Sequence, residues 1–369
     1  MSTLQGIGSS LRSAVVSFAL AGPLVLALAV LGVAPAQAAT YTMVIGHLYP
    51  DDITNNEQAA ALERFRQIVE TATGGDIDVQ VFGGGALGSE VEMGKQAQKG
   101  KTIQSVLMSS GANSSFFKEY QLVTTPFLFP NYKVAWEFFD SDYFANFMRG
   151  EMEQSGLRYL GTFDDGGGFV AFTNNKRVIK TVDDIKGLKI RVEENPAHMA
   201  VMKSLGASPT PLPWGEVHTA LATGLADGQF NAPGTNDIFN LAEVTNYTTW
   251  SGHVYNTITW VVSDQWFSQL PGKYQKIIVQ AAREAVHMGH GIATQITVIG
   301  WVNSCKRFKE CYILPDEEKE KMKAIAQPAF KKWITEDFGI DPALVEEFWA
   351  AVDDLQTNLD ASWEKKYLY

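Results

Sequence analysis

Residues 187–233 of the chain read GLKIRVEENPAHMAVMKSLGASPTPLPWGEVHTALATGLADGQFNAP. Short apolar runs at 189–192, 210–212 and 226–231 predict three strands. Two helices are expected between them: one opens at Asn195-Pro196 and ends at Gly206, and the other spans 214–223. A β-α-β-α-β order is typical of a parallel sheet with helices on its faces.

The same order occurs nearer the start of the chain. Strands are predicted at 41–46, 77–82 and 103–108, with a helix over 56–73 and a second helix from the capping box Ser89-x-x-Glu92 to Gly100. Two such units predict an α/β fold of two lobes with mostly parallel sheets. Helical spacing over 273–294, 316–338 and 342–360 predicts a helical C-terminal region.

Residues 1–38 have the composition of a signal peptide. Arg12 is their one charged residue, 14–33 is apolar, and Ala36-Gln37-Ala38 is a signal-peptidase pattern, so we expect export to the periplasm and a mature chain that begins at Ala39. A transmembrane anchor is the alternative, and Gly22-Pro23 within the apolar run argues against it. No later stretch could span a bilayer, so direct membrane insertion of the mature chain is not expected.

Charge and cysteine content narrow the partners further. The net charge of −11 disfavours nucleic acid and anionic lipid. Cys305 and Cys311 are the two cysteines, and an oxidising compartment favours a disulfide between them. Residues six apart cannot bridge on one regular helix, so this disulfide requires a bend. A metal site at this pair is not expected, because no histidine cluster accompanies it.

Motifs of catalysis and of cofactor binding are missing or incomplete. Gly83–Gly88 fits G-x-G-x-x-G, but the acidic residue expected about 20 positions later is absent from 104–109, so a flexible turn is expected and a cofactor is not. No G-x-S-x-G, H-E-x-x-H or Walker A motif occurs. His287 and His290 are interpreted as surface or packing residues, and no catalytic residue is predicted.

Several short motifs carry a family resemblance: Thr73-Gly74-Gly75, Ala86-Leu87-Gly88, Pro126-Phe127-Leu128-Phe129, Thr173-Asn174-Asn175-Lys176, 208–211 (SPTP), 216–221 (EVHTAL) and 227–229 (DGQ). With them the chain resembles the DctP-like substrate-binding proteins of TRAP (tripartite ATP-independent periplasmic) transporters. The resemblance implies a receptor, not an enzyme, whose lobes exchange strands and close over a small organic acid. The implied partners are the small and large membrane subunits of a TRAP transporter. Approximate bounds are 39–168 plus 257–296 for lobe I and 169–256 plus 297–369 for lobe II.

The resemblance also assigns a ligand site. Arg191, in the K-I-R-V strand, would hold the ligand carboxylate, for which a guanidinium offers a rigid two-pronged donor, and Asn231 would add a hydrogen bond. The alternatives are a surface ion pair of Arg191 with Glu193 or Glu194, and a turn role for Asn231. Trp214 would pack against the ligand or in the core. The remaining expected pocket-wall residues are Phe230, His47, Tyr49, Met108, Ser109, Asp165, Phe169 and Tyr255.

One departure from the family bears on the ligand. Many members carry a second arginine shortly before the T-N-x-K motif, where this chain reads GGGFVAF at 166–172. A second ligand carboxylate would therefore lack a partner, so we expect a monocarboxylate, either a hydroxy or keto acid or a zwitterion whose nitrogen meets Asp164 or Asp165. A periplasmic sensor for a signalling kinase remains an alternative function, and a periplasmic hydrolase is a weaker one.

Overall fold

The nine strands of the described residues form one mixed sheet, in the order β2-β1-β3-β8-β4-β7-β5-β6 with β9 beside β8. The structure is a computed structural model and describes residues 39–367. The strands are β1 (Tyr41–Gly46), β2 (Ile77–Phe82), β3 (Ser105–Ser109), β4 (Leu157–Asn174), β5 (Lys189–Val192), β6 (Ser208–Pro211), β7 (Gly228–Asn231), β8 (Tyr247–Ser263) and β9 (Glu310–Ile313).

Helices cover the sheet and fill the C-terminal part of the chain. They are α1 (Glu57–Thr73), α2 (Glu90–Lys99), α3 (Ser110–Asn113), α4 (Tyr132–Phe139), α5 (Asp142–Phe147), α6 (Arg149–Ser155), α7 (Pro196–Ser204), α8 (Val217–Thr223), α9 (Pro233–Ile238), α10 (Asp264–Phe267), α11 (Gly272–Arg307), α12 (Asp316–Lys332) and α13 (Pro342–Tyr367). Short 3₁₀ turns lie at Lys118–Thr124, Val182–Ile185, Trp214–Glu216 and Leu241–Glu243, and a π turn follows α12 at Trp333–Asp337.

Two long antiparallel strands join the two β-α-β-α-β units. β4 and β8 pair from Leu157↔Ser263 to Asn174↔Tyr247, and β3 joins one end of β8 while β7 joins the far end of β4. Within each unit the neighbouring strands are parallel, as predicted. The sequence patterns did not indicate the two long strands themselves, and because of them the sheet is mixed.

The predicted helix ends have their expected local chemistry. Asn56 accepts hydrogen bonds from the first turn of α1, and Gly74 ends that helix in the left-handed conformation at φ 65°. The capping box of Ser89 and Glu92 opens α2, and Asn195 caps α7. The glycine run 83–88 forms the turn between β2 and α2, where Asp51 accepts a hydrogen bond from the N–H of Gly83.

Helix α11 is longer than predicted and ends beside β9. It continues to Arg307 instead of stopping near residue 294, so it carries Cys305 in its last turn. The chain leaves the helix at Phe308, and this bend brings Cys311 on β9 to a Cα–Cα distance of 5.1 Å, where the two cysteines form a disulfide. Among the described residues, no helix has both the length and the apolar character needed to cross a bilayer.

The largest hydrophobic core crosses a predicted lobe boundary. It combines apolar residues of 117–148 with residues of 170–207 and 314–352, so a segment assigned to lobe I packs with residues assigned to lobe II. A second core lies between α1, α11 and the first half of the sheet. The lobe bounds stay a prediction, and the expected signal peptide lies outside the described residues.

Candidate functional site

Arg191 is buried at the second half of the sheet, and it forms no direct ion pair within the described residues. Ile190 and Val192 point into the core, and Arg191 points to the opposite face, where only 3% of its surface is exposed. Its Nε and Nη2 donate to the carbonyl oxygen of Leu212 at 3.0 and 2.7 Å, and its guanidinium carbon lies 5.6 Å from the centre of the Trp214 ring. No ion pair within residues 39–367 includes Arg191, so it is not in a surface ion pair with Glu193 or Glu194.

Three carboxylates from different parts of the chain, Asp165, Glu90 and Glu193, lie near enough to act electrostatically on Arg191. Asp165, in the middle of β4, accepts a hydrogen bond from the Tyr49 hydroxyl at 2.5 Å. Glu90, the first residue of α2, accepts from the backbone N–H and the hydroxyl of Ser109 at 2.7 and 2.8 Å. Glu193 accepts from the backbone N–H of Gly111 at 3.1 Å. Because Ser109 ends β3 and Gly111 follows it, whereas Glu193 follows β5, this site joins the two halves of the sheet.

The electrostatics of this group reflect burial together with an excess of negative charge. Burial, then the charge of Glu193, raises the pKa of Glu90 to about 8. Burial raises the pKa of Asp165 to about 7, and burial also raises that of Glu193. Burial lowers the pKa of Arg191 to about 10, against the opposing effect of the nearby carboxylates, so the guanidinium stays charged at neutral pH.

An aromatic wall adjoins the charged groups. The ring of Tyr49 lies 5.0 Å from that of Phe239, which in turn lies 4.8 Å from the ring of Trp214. The Tyr49 hydroxyl also lies 2.8 Å from that of Thr235 on α9. The arrangement therefore offers one cation, several carboxylates and flat apolar faces, as a binding site for a small polar molecule does.

Asn231 lies on the same face of the sheet as Arg191, but its side chain already has protein partners. Its Nδ2 donates to Gln229 Oε1 at 2.5 Å, and its Oδ1 accepts from Asn256 at 3.4 Å. The register Arg191↔Gln229 places these side chains on neighbouring strands. A hydrogen bond from Asn231 to a ligand carboxylate stays a prediction.

Five of the expected pocket-wall residues have other neighbours than Arg191 in the contacts of the described residues. Phe230 points to the opposite face of β7 from Asn231 and contacts His198 and His253, and Met108 is buried in a core cluster. His47 Nε2 contacts Asp51 at 2.9 Å. Phe169 and Tyr255 belong to an aromatic cluster, their ring centres 4.7 Å apart.

Asp164 belongs to a different network from Asp165. Its carboxylate accepts hydrogen bonds from the Trp136 indole and the Tyr255 hydroxyl, and it lies 3.2 Å from His290 Nδ1. Of the two aspartates considered for a ligand nitrogen, only Asp165 contacts the Arg191 site. His290 is a buried packing residue, as expected, and His287 is exposed beside Asp140.

A separate cavity of about 640 Å³ lies elsewhere in the molecule. Phe127, Phe169, Trp250 and Trp349 form its aromatic walls, and α12 contributes Lys323. Neither Arg191 nor its three carboxylates line it. This cavity is therefore distinct from the Arg191 site.

Sequence reasoning missed four residues of the site: Glu90, Glu193, Thr235 and Phe239. Glu90 directly follows the cap residue Ser89 and was overlooked beside the capping-box Glu92. Glu193 was considered only as a surface partner for Arg191. The sequence spacing could have indicated Glu193, because it lies two positions after Arg191 and positions two apart on an extended chain share a face.

The sequence matches a known family over most of its length. Residues 49–337 match the profile of DctP, bacterial extracellular solute-binding protein, family 7, and the chain belongs to this family. Its members are solute-binding receptors, and this chain is a receptor of TRAP type and not an enzyme, as predicted. The α/β fold prediction is confirmed in the same way, and the family is extracellular or periplasmic.

Individual relatives agree with this assignment. A solute-binding protein of Verminephrobacter eiseniae is 33% identical over 234 residues, 63% of this chain and 69% of that one. The ectoine/5-hydroxyectoine-binding periplasmic protein UehA of Ruegeria pomeroyi is 28% identical, over 77% of this chain and 83% of its own. The structure of the sugar acid binding protein DctPAm of Advenella mimigardefordensis with galactonate superposes with a TM-score of 0.79 at 27% identity, covering 86% of this chain and 100% of that one.

Proposed function

We propose that this chain captures a small monocarboxylate in the periplasm, holds it at Arg191, and delivers it to the membrane subunits of a TRAP transporter. The observation that carries the proposal is the buried guanidinium of Arg191, which has no ion pair among the described residues. A buried guanidinium without a directly hydrogen-bonded carboxylate is costly, and a ligand carboxylate would supply that contact in a geometry that guanidinium matches.

A single ligand carboxylate fits the charges that surround Arg191. None of the carboxylates of Glu90, Asp165 and Glu193 forms an ion pair with a second cation, lysine or arginine, among residues 39–367, and β4 has no arginine between Asp164 and Thr173. A second ligand carboxylate would therefore meet acidic groups and be repelled. Ectoine and galactonate, named for two of the relatives, each carry one carboxylate, which supports the proposal.

Substitution of Arg191 tests the proposal. We expect Arg191→Ala to weaken ligand binding by at least about 10-fold, since a charge-assisted hydrogen bond contributes about 1.5–3 kcal/mol. Arg191→Lys should restore only part of the affinity, because an ammonium group cannot form the paired contact. Titration calorimetry measures both, and Arg64→Ala, which removes an exposed arginine paired with Glu284, serves as the control.

A thermal-shift panel tests the number of carboxylates. At least one of the monocarboxylates ectoine and galactonate should raise the melting temperature, because a ligand that binds only the folded state stabilises it by mass action. Succinate and malate should not. Stabilisation by these dicarboxylates alone, or unchanged affinity in Arg191→Ala, would refute the proposal.

A further inference from the structure

The charges of the Arg191 site do not balance once a ligand carboxylate is counted. That carboxylate neutralises Arg191, and Glu193 and the ionised fraction of Asp165 then have no cation among the described residues, whereas Glu90, with a pKa of about 8, is mostly protonated at neutral pH. Asp165 is 5% exposed and the Glu193 side chain 17% exposed. Carboxylates buried to this degree are costly to ionise unless a positive charge lies close to them.

The protein does not supply this charge through its nearest histidine. His198 is fully buried, its Nδ1 lies 4.0 Å from Glu193 Oε2, and neither ring nitrogen has a hydrogen-bond partner among residues 39–367. Burial and the positive charge of Arg191 lower the pKa of His198 to about 3, so this ring is neutral in the folded protein. Once a ligand carboxylate neutralises Arg191, Glu193 therefore has no positive partner in the part of the chain that the structure describes.

The positions of Arg191 and Glu193 determine how far a positive charge beside Glu193 would lie from a carboxylate bound to Arg191. Glu193 directly follows β5 and lies two positions after Arg191, so on extended backbone the two side chains leave the same face about 7 Å apart. A small molecule whose carboxylate and nitrogen are separated by a few bonds can reach both. The rings of Trp214, Phe239 and Tyr49 are available as faces for a cation.

We infer that the ligand is a zwitterion: besides the carboxylate held by Arg191, it carries a protonated nitrogen whose N–H groups donate to Glu193, with Asp165 and Glu90 close by. This inference rests on the proposed function, because it takes the carboxylate at Arg191 as given. Ligand hydroxyl groups could also donate to these oxygens, but they would leave the negative charge of Glu193 uncompensated. The class of ligand is therefore an amino acid or a cyclic amidinium acid, not a polyhydroxy acid.

The ligand that stays bound through native purification provides the first test. The protein is denatured, and the released compound is identified by mass spectrometry. A monocarboxylate with a basic nitrogen is the expected result, and a nitrogen-free acid would overturn the inference while leaving the proposed function intact. Protein recovered empty is tested by thermal shift with ectoine, serine, glycerate and D-erythronate. Serine and glycerate differ only in that serine has an amino group where glycerate has a hydroxyl. If neither ectoine nor serine raises the melting temperature, the inference is overturned.

Glu193→Gln then tests the residue itself. A glutamine carbonyl can still accept the N–H of Gly111, so the substitution removes charge and preserves that hydrogen bond. We expect affinity for the zwitterion to fall at least about 10-fold, as for loss of a charged hydrogen-bond partner. The matched control is Glu318→Gln, since Glu318 accepts the backbone N–H of Val182 but is paired with Lys321. Zwitterion affinity within twofold of wild type in Glu193→Gln would overturn the assignment, whereas loss of binding in Arg191→Ala tests the carboxylate alone.

Discussion

Gly111 lies where a side chain would disturb the contact between the two halves of the sheet. Its N–H donates to Glu193, and a Cβ at this position would lie 2.6 Å from Glu193 Oε2 and 3.2 Å from Asn195 Cβ. Its φ is not in the left-handed region, so the backbone itself does not require glycine. The absence of a side chain at Gly111 therefore allows Glu193 to approach the backbone of α3.

Gly111→Ala should weaken ligand binding without changing any charge. Displacing Glu193 by a methyl group costs about 1–3 kcal/mol, so we expect a loss of affinity of about 5-fold or more in calorimetry. Gly272→Ala is the control, because a Cβ at the first position of α11 would meet nothing within 4 Å. Wild-type affinity in Gly111→Ala would show that this approach is not needed for binding.

At the scale of elements, β4 is interrupted where it passes from one half of the sheet to the other. Its register with β8 shifts between Asp164 and Phe169, and Gly166, Gly167 and Gly168 all have positive φ. A Cβ on Gly167 would lie 1.6 Å from the Thr297 hydroxyl oxygen on α11. The irregular stretch thus depends on glycine both for its backbone conformation and for the approach of α11.

Gly167→Ala should destabilise the protein more than a glycine-to-alanine substitution that is unfavourable only because the residue has a positive φ. Gly187 has φ 75° and no atom within 4 Å of its Cβ position, so Gly187→Ala should cost about 1–2 kcal/mol. Gly167→Ala adds overpacking against Thr297, and the free energy of unfolding should fall by about 1–3 kcal/mol more. Urea denaturation measures both losses. Equal losses would mean that α11 moves away at little cost.

At the scale of the whole molecule, buried carboxylates that form no ion pair within residues 39–367 are not confined to the surroundings of Arg191. Burial raises the pKa of Glu151 on α6 from its ordinary 4.5 to about 8, although Asn113 donates a hydrogen bond to it at 3.4 Å. Glu90 has a similar pKa of about 8. At neutral pH, both carboxyl groups therefore keep a proton in the folded protein that they have already released in the unfolded chain.

The ligand-free protein should lose stability as the pH rises from 7.0 to 8.5. A folded-state pKa above the ordinary value contributes stability at low pH, which is lost as the pH rises through the folded value, here about 8 for Glu90 and Glu151. His198 and His253 have pKa values lowered by burial and are mostly neutral in both states above pH 7. Denaturant unfolding at the two pH values should show that the free energy of unfolding falls less in Glu151→Gln than in the wild-type protein. Identical losses in variant and wild type would contradict this origin.

The sequence by itself determined the local elements and the family. Alternating and helical spacing, together with caps such as Asn56, Ser89 and Asn195, depend on neighbours within a few residues, so β1, β2, β5, α1, α2 and α7 were predicted close to their observed bounds. The family resemblance singled out Arg191 for the same reason, since the K-I-R-V strand and the motifs around it are continuous in the sequence, and its role in binding stays a prediction.

Only the tertiary structure decided which side chains share the site and which ones surround it. Asp165 is joined to Tyr49 across 116 positions, and Gly111 to Glu193 across 82, through contacts that no sequence window contains. Asp164 and Asp165 are adjacent and chemically identical, yet one is held by Trp136 and the other faces Arg191, because neighbouring residues of a strand point to opposite sides. The acidic surroundings of Arg191 arise from β4, α2 and the end of β5 meeting at one place, which depends on the pairing of β4 with β8 and not on local spacing.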